Sequence, residues 1–387
     1  MLTPNTPISP ALAPASGRIP SLDGLRAVAV LLVLFAHVHQ TAGFPRSRLL
    51  DAIGNHAAIG VEIFFVISGF LITTLMLREL HRNDALDIRA FYKRRALRIV
   101  PAYLGLLLAV ALMDFRGAIH LRRADWIAAI TYTVNFLPHP NWNIGHAWSL
   151  SIEEHFYLLW PLVMAKGGVA FARRAALGVI AFCFAARWAV LLFAPRYSSM
   201  AELWTFTRLD AIVFGCLLAV MVQDASWRDR LHSVCSNGYV VALAGIGLAA
   251  SLALSSVSSK FSVGIAYTAN SALIVLLLWA AVGRPGSLIG RWLNHPAIAA
   301  VGIGSYSLYL WQQIFLNRTS HTFACRFPQN LLFACAAAWV SYRFIERPFL
   351  SLKSRVSRTS RQRVVERSDN LVLPNARSGP PVVGGPL

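Results

Sequence analysis

Residues 21–40 read SLDGLRAVAVLLVLFAHVHQ, an apolar run with Asp23 and Arg26 at one end and His37 and His39 at the other. A run of about 20 such residues crosses a bilayer as a helix, because lipid offers the backbone no hydrogen-bond partner but itself. Ile59 to Leu77 and Leu273 to Val282 repeat the pattern. The 387-residue chain is 56% hydrophobic and 14% charged, with a mean hydropathy of +0.54. Soluble domains carry roughly a quarter charged residues. A soluble helical protein would have to bury several such runs in one core, and the composition argues against it.

The expected fold is therefore all-α: a polytopic transmembrane helical bundle of about ten spans. These are placed at about 22–40, 58–77, 98–114, 148–165, 175–194, 205–222, 239–256, 263–282, 297–317 and 328–346. Nothing after the first run resembles a cleavage site, so it is read as a retained span. The loop after the second span carries Arg78, Arg82, Arg89, Lys93, Arg94, Arg95 and Arg98. Positive-inside bias puts that loop, and with it the N- and C-termini, in the cytoplasm. Alternation then brings Lys166, Arg173, Arg174, Arg228, Arg230, Arg284, Arg291 and the tail from Arg347 to the same side. Residues 124–137 are apolar but short, and are expected to form an interfacial or re-entrant helix on the outer face, with an eleventh span as the alternative. Residues 1–19 and the basic tail 351–387 read as disordered segments flanking one membrane domain, 20–350.

The net charge of +19 is dispersed between apolar runs, which fits orientation and contact with anionic lipid rather than nucleic acid. Five scattered cysteines, Cys183, Cys216, Cys235, Cys325 and Cys335, show neither a disulfide framework nor a metal spacing. No metal is expected.

Charges inside a membrane mark functional sites by default. Arg26 and His37 are eleven residues apart, which returns them to within about 20° of one azimuth and separates them by roughly 16 Å along a helix. Such a His suits general-base work; a snorkelling Arg and an interfacial His are the alternatives. With His37, the residues Glu62, Glu153, Arg208, Asp210 and Gln312, the last above Tyr306, bring polar groups toward the expected outer ends of five helices, pointing to a wet outer chamber or to a structural ion-pair network. Ser149, Glu153, Phe156 and Tyr157 share one helix face. Lys93, Arg94, Arg95 and Arg98 suit phosphate binding or simple orientation.

Seven blocks resemble, in order, those of the acyltransferase 3 family of integral-membrane O-acyltransferases. They are SLDGLRAVAVLLVLFAH with its Arg-x10-His spacing, GVEIFFVISGFLIT, FYKRRALRIVPAY, HAWSLSIEEHFYLLWP, RLDAIVFGCLLA, IGSYSLYLW and RFIERPFL. The resemblance runs over about residues 18–350. It implies a bacterial inner-membrane enzyme that moves an acetyl or related acyl group from cytosolic acyl-CoA, acetyl-CoA above all, to a hydroxyl of an extracytoplasmic glycan or lipid-linked glycan. It makes Arg26 and His37 essential and marks Arg95, Arg98 and Glu153. If His37 is the base, Glu62 or Glu153 is the expected carboxylate to orient its imidazole. Many relatives carry His where this chain has Gln312, and no fused hydrolase-like domain is expected. A macrolide or other small-molecule acceptor, or a transporter or flippase without acyl transfer, are the competing readings. The transporter would show inverted repeats, and none is evident.

Overall fold

The computed structural model describes residues 19–352, and among them the chain is all helical, without a strand. The helices are α1 (Leu22–Val38), α2 (Arg48–His56), α3 (Ile59–Asn83), α4 (Ile88–Phe115), α5 (Arg123–Ile130), α6 (Trp142–Gly145), α7 (Ala147–Phe193) and α8 (Thr205–Met221). There follow α9 (Ala225–Ser236), α10 (Gly238–Val257), α11 (Ser259–Phe261), α12 (Tyr267–Gly283), α13 (Leu288–Leu293), α14 (Pro296–Ile303), α15 (Ser305–Phe315) and α16 (Gln329–Val340). Apart from Ile19, which is buried in the main core, and the first residues of the tail, the expectations for 1–19 and 351–387 fall outside the described residues.

Six helical segments among the described residues are long and apolar enough to cross a membrane: Arg48–Asn83, Ile88–Phe115, Trp142–Phe193, Met200–Met221, Gly238–Val257 and Ser259–Gly283. The chain is a membrane protein. The expected spans 148–165 and 175–194 are the two arms of α7, separate helices that meet at Gly168, whose φ of 61° is not helical. Elsewhere the helices differ from the ten-span reading in two ways. The expected span 297–317 is divided at Gly304 into α14 and α15, and 328–346 ends in a π-helical turn at Ser341–Glu346. Gly and π-turns interrupt the hydrogen-bond ladder without breaking an apolar pattern, so hydropathy passes over them. The 124–137 segment holds only the eight-residue α5 and a 3₁₀ turn at Val134–Phe136. Eight residues reach about 12 Å, far short of the roughly 30 Å hydrocarbon layer. Asp125 fixes this loop: its carboxylate accepts from Arg122 N and Nε and from Asn141 N, and the Arg122 guanidinium holds it below the ordinary carboxylate range.

The core lies around α8, eleven of whose 17 residues are buried. It packs on α3 and α7, and the α3 crossing is backbone on backbone. A Cβ at Gly69 would stand 1.8 Å from the Ile212 carbonyl oxygen, and one at Gly215 would stand 2.0 Å from that of Val66. Small residues at membrane helix crossings allow this approach, which dispersion and close packing then stabilise. By contrast α10 buries only Ala244 and Ser251 and turns Leu243, Ile246 and Leu254 outward.

Gly215→Leu should therefore abolish a monodisperse protein in detergent chromatography. Gly178→Leu, where no atom lies within 4 Å of the added Cβ position, should elute like the parent. Equal behaviour of the two would contradict the close crossing.

Candidate active site

Two cavities lie side by side within the bundle. A narrow one of about 90 Å³ is lined by Arg26, Ser68, Arg95, Arg98, Glu153 and Tyr306, among others. A wide one of about 830 Å³ is lined by His37, Glu62, His146, Arg208, Tyr267 and Gln313, among others, and falls in the about 300–1,000 Å³ range usual for small-molecule sites. Val61 and Tyr309 line both.

The helices that build the cavities pass from one to the other in alternating directions. Along α1 the lining moves from the narrow cavity at Arg26 to the wide one at His37, and along α15 from Ser305 to Gln313. Along α3 it runs the opposite way, from Glu62 to Ile72, and along α7 from Trp148 to Tyr157. Arg26 and His37 are thus on one wall of α1, as their eleven-residue spacing requires, but in different chambers.

The narrow cavity sets three guanidinium groups, Arg26, Arg95 and Arg98, against the Glu153 carboxylate. Arg26 is held at 3.2 Å from Asp23. Arg95 stands over the Tyr157 ring, with Cζ 5.3 Å from its centroid, a cation–π contact that needs no partner carboxylate. The Tyr157 hydroxyl donates to Glu153 Oε2 at 3.0 Å and lies 2.6 Å from Ser68 Oγ. Tyr306 donates to the Ile99 carbonyl oxygen at 2.8 Å.

In the wide cavity Glu62, 2% exposed, accepts from Ser271 Oγ at 2.8 Å and stands 4.0 Å from Arg208. Arg208 lies over the Tyr267 ring at 3.5 Å. With Glu202 also in the lining, carboxylates outnumber guanidinium groups here, the reverse of the narrow cavity. The His37 ring meets Trp142 edge-on at 5.8 Å, and the Val33 carbonyl is a backbone acceptor beside it. Its Nδ1 is enclosed without a hydrogen-bond partner, and the residue lines the wide cavity. Among the described residues no cluster of three or more metal-ligating side chains occurs.

A family model described as an acyltransferase domain matches residues 19–342. The chain belongs to the acyltransferase 3 family. Among curated relatives it is similar to the O-acetyltransferase OatA of Staphylococcus aureus strains NCTC 8325 and COL, 31% identical over 369 residues in each case. The match covers 85% of this chain and 57% of the relatives, so the chain spans little more than half their length. No solved structure matches it.

Measured on this family member, the single outer chamber expected from sequence divides in two. Glu153 and Tyr306 line the narrow cavity beside Arg26, not the chamber of Glu62, Arg208 and His37. Glu153 is six residues into α7 whereas Glu62 is three into α3, and each residue adds about 1.5 Å of depth. Glu153 lies in the other cavity from His37, and Gln312 and His146 are among the polar side chains beside the imidazole. Both Gln312 amide atoms are buried without a hydrogen-bond partner. The basic cluster also separates. Arg95 and Arg98 line the narrow cavity, Arg94 pairs with Glu79 at 2.8 Å, and Lys93 is exposed. Lys93, Arg94 and Arg95 are consecutive and stand about 100° apart around the helix, so they cannot share a face, whereas Arg98 returns to that of Arg95.

Asp210 lines neither cavity and meets Arg187 at 2.8 Å, the two side chains being 1% and 0% exposed. Arg187 also donates to the Thr207 carbonyl oxygen and to Thr268 Oγ1, tying α7, α8 and α12 together. Sequence reasoning missed it, although a lone Arg within an apolar run is a signal in itself. It missed His146 as well, whose 3% exposure a predicted loop position conceals.

Removing one partner of a buried pair strands the other's charge. Arg187→Met should lower stability by about 3–5 kcal/mol in detergent unfolding, and adding Asp210→Leu should restore most of it. No rescue in the double variant would assign the pair another role.

Proposed function

We propose that the chain is a multi-pass O-acyltransferase of a bacterial inner membrane, transferring an acetyl or related acyl group from cytosolic acyl-CoA to an extracytoplasmic glycan hydroxyl. The observation that carries this reading is the pair of cavities on α1, one cationic at Arg26 and one holding the His37 imidazole, in a chain of the acyltransferase 3 family. The orientation we adopt puts the narrow cavity toward the cytoplasm, with the Arg78–Arg98 loop, both termini and about ten spans arranged accordingly.

Arg95 and Arg98 meet the donor's phosphates, where guanidinium forks give strong, charge-assisted bonds. Glu153 and Tyr157 hold that basic surface in place: the carboxylate offsets three cations, and the ring supports Arg95. The pantetheine arm, narrow and uncharged, passes Arg26 and brings the thioester to His37. There the acceptor oxygen attacks the thioester carbonyl carbon as His37 takes its proton. The new C–O bond forms, the C–S bond breaks, and the proton passes from the imidazole to the departing thiolate, which leaves as coenzyme A thiol. The wide cavity, with its hydroxyl, amide and carboxylate lining, matches a polyhydroxylated acceptor better than an anionic one. Positioning both reactants in a joined pair of chambers removes most of the entropic cost of their meeting.

His37→Ala should lower acyl transfer by at least about a hundredfold while the protein still inserts and accumulates. Arg95→Ala combined with Arg98→Ala should weaken acetyl-CoA binding by about tenfold or more. The assay is transfer of labelled acetyl from acetyl-CoA to cell-surface glycan in membrane vesicles, with donor affinity measured on the purified protein. Full transfer by His37→Ala would overturn the base role, and unchanged affinity in the double variant the phosphate role.

A further inference from the structure

Tyr309, on α15, stands where the two cavities meet, with Val61 of α3 as the other residue lining both. Its hydroxyl donates to the His146 carbonyl oxygen at 2.8 Å and lies 2.6 Å from Ser149 Oγ. With its one proton used on the carbonyl, the phenol oxygen accepts from Ser149. The ring packs edge-on against Phe64, centroids 6.3 Å apart, and against His146 at 5.6 Å. Tyr309 is therefore latched across the boundary by residues on either side of it: Ser149 and Phe64 line the narrow cavity, and His146 lines the wide one.

We propose that Tyr309 is the gate between the cavities and the residue that sets which acyl groups cross. The latch consists of two neutral hydrogen bonds, whose net strength is modest, so rotation of the ring is accessible. No charge needs to move for it to open. The acyl part of the inference rests on the proposed function. The acyl group leads through the gate and the pantetheine arm follows. A straight acyl chain is no broader than the arm behind it, so a gate that admits the arm admits acetyl and other straight chains alike. An acyl group broader than the arm, such as benzoyl or pivaloyl, is stopped. Selection at this point is thus by cross-section and not by chain length. Length is left to the wide cavity beyond.

Two measurements test this, one of them independent of catalysis. In sealed vesicles of a protein whose five cysteines are replaced, Ser68→Cys reports the narrow cavity and Asn55→Cys the wide one. A small, charged, membrane-impermeant methanethiosulfonate is added to one face at a time. With Tyr309 present, each reporter should be modified from one face only, and the two from opposite faces. With Tyr309→Ala, Ser68→Cys should be modified from both faces. Tyr309→Phe, which keeps the ring and loses the latch, should give an intermediate rate from the second face, and it serves if the alanine variant does not fold. Two-sided modification with Tyr309 intact, or one-sided modification in both variants, would overturn the gate. In the second measurement, transfer from benzoyl-CoA relative to acetyl-CoA should rise about tenfold or more in Tyr309→Ala. An unchanged ratio would overturn the selectivity. Absence of any acyl transfer by the parent protein would overturn the proposed function and leave the vesicle result standing.

Discussion

A guanidinium or carboxylate on a helix in lipid must find a counter-charge, an aromatic face or water, and the arrangement of this bundle follows from that constraint. Arg187 and Asp210 pair with each other and, through Thr207 and Thr268, hold three helices together. Arg95 and Arg208 take aromatic faces, and Glu62 takes a serine hydroxyl. Groups so treated remain beside cavities instead of being sealed off in closed pairs. The fold thus sorts its buried charge into one set that only braces the bundle and another that stays available to a ligand.

The second set is divided in space. Three cations gather around the narrow cavity and an acidic balance surrounds the imidazole in the wide one. This suits a reaction between a polyanionic donor and a neutral, hydroxyl-rich acceptor, since each is attracted to one chamber and not to the other. Four helices, α1, α3, α7 and α15, contribute to both chambers and run in alternating directions. A shift of one of them alters both sites, and Tyr309 lies where such a shift would be felt.

Much of this was legible in the sequence. The Arg26–His37 spacing gave their common wall because the helical repeat is fixed. The all-helical membrane character followed from hydropathy alone, and the family from motif order. Depth was not legible. Whether Glu153 stands level with Glu62 depends on where α7 starts, and the four-residue α6 ahead of it carries no strong sequence mark. Nor was the break at Gly304, which divides α14 from α15 within one apolar run. Arg187 is a different case. Its signal was present, but a single Arg in a run of alanines and aromatics attracts less notice than a motif.

The central claim is that a donor anchored at Arg95 and Arg98 reaches His37 through the boundary between the cavities. The most direct measurement is disulfide capture in a protein whose native cysteines are replaced. His37→Cys and, separately, Ser68→Cys are exposed to coenzyme A under mild oxidation and the adducts weighed by mass spectrometry. The account predicts a mixed disulfide with coenzyme A at both positions, lost at both when Arg95→Ala and Arg98→Ala are added. Capture at position 68 with none at position 37 would show that the thiol stops short of the imidazole, and would contradict it.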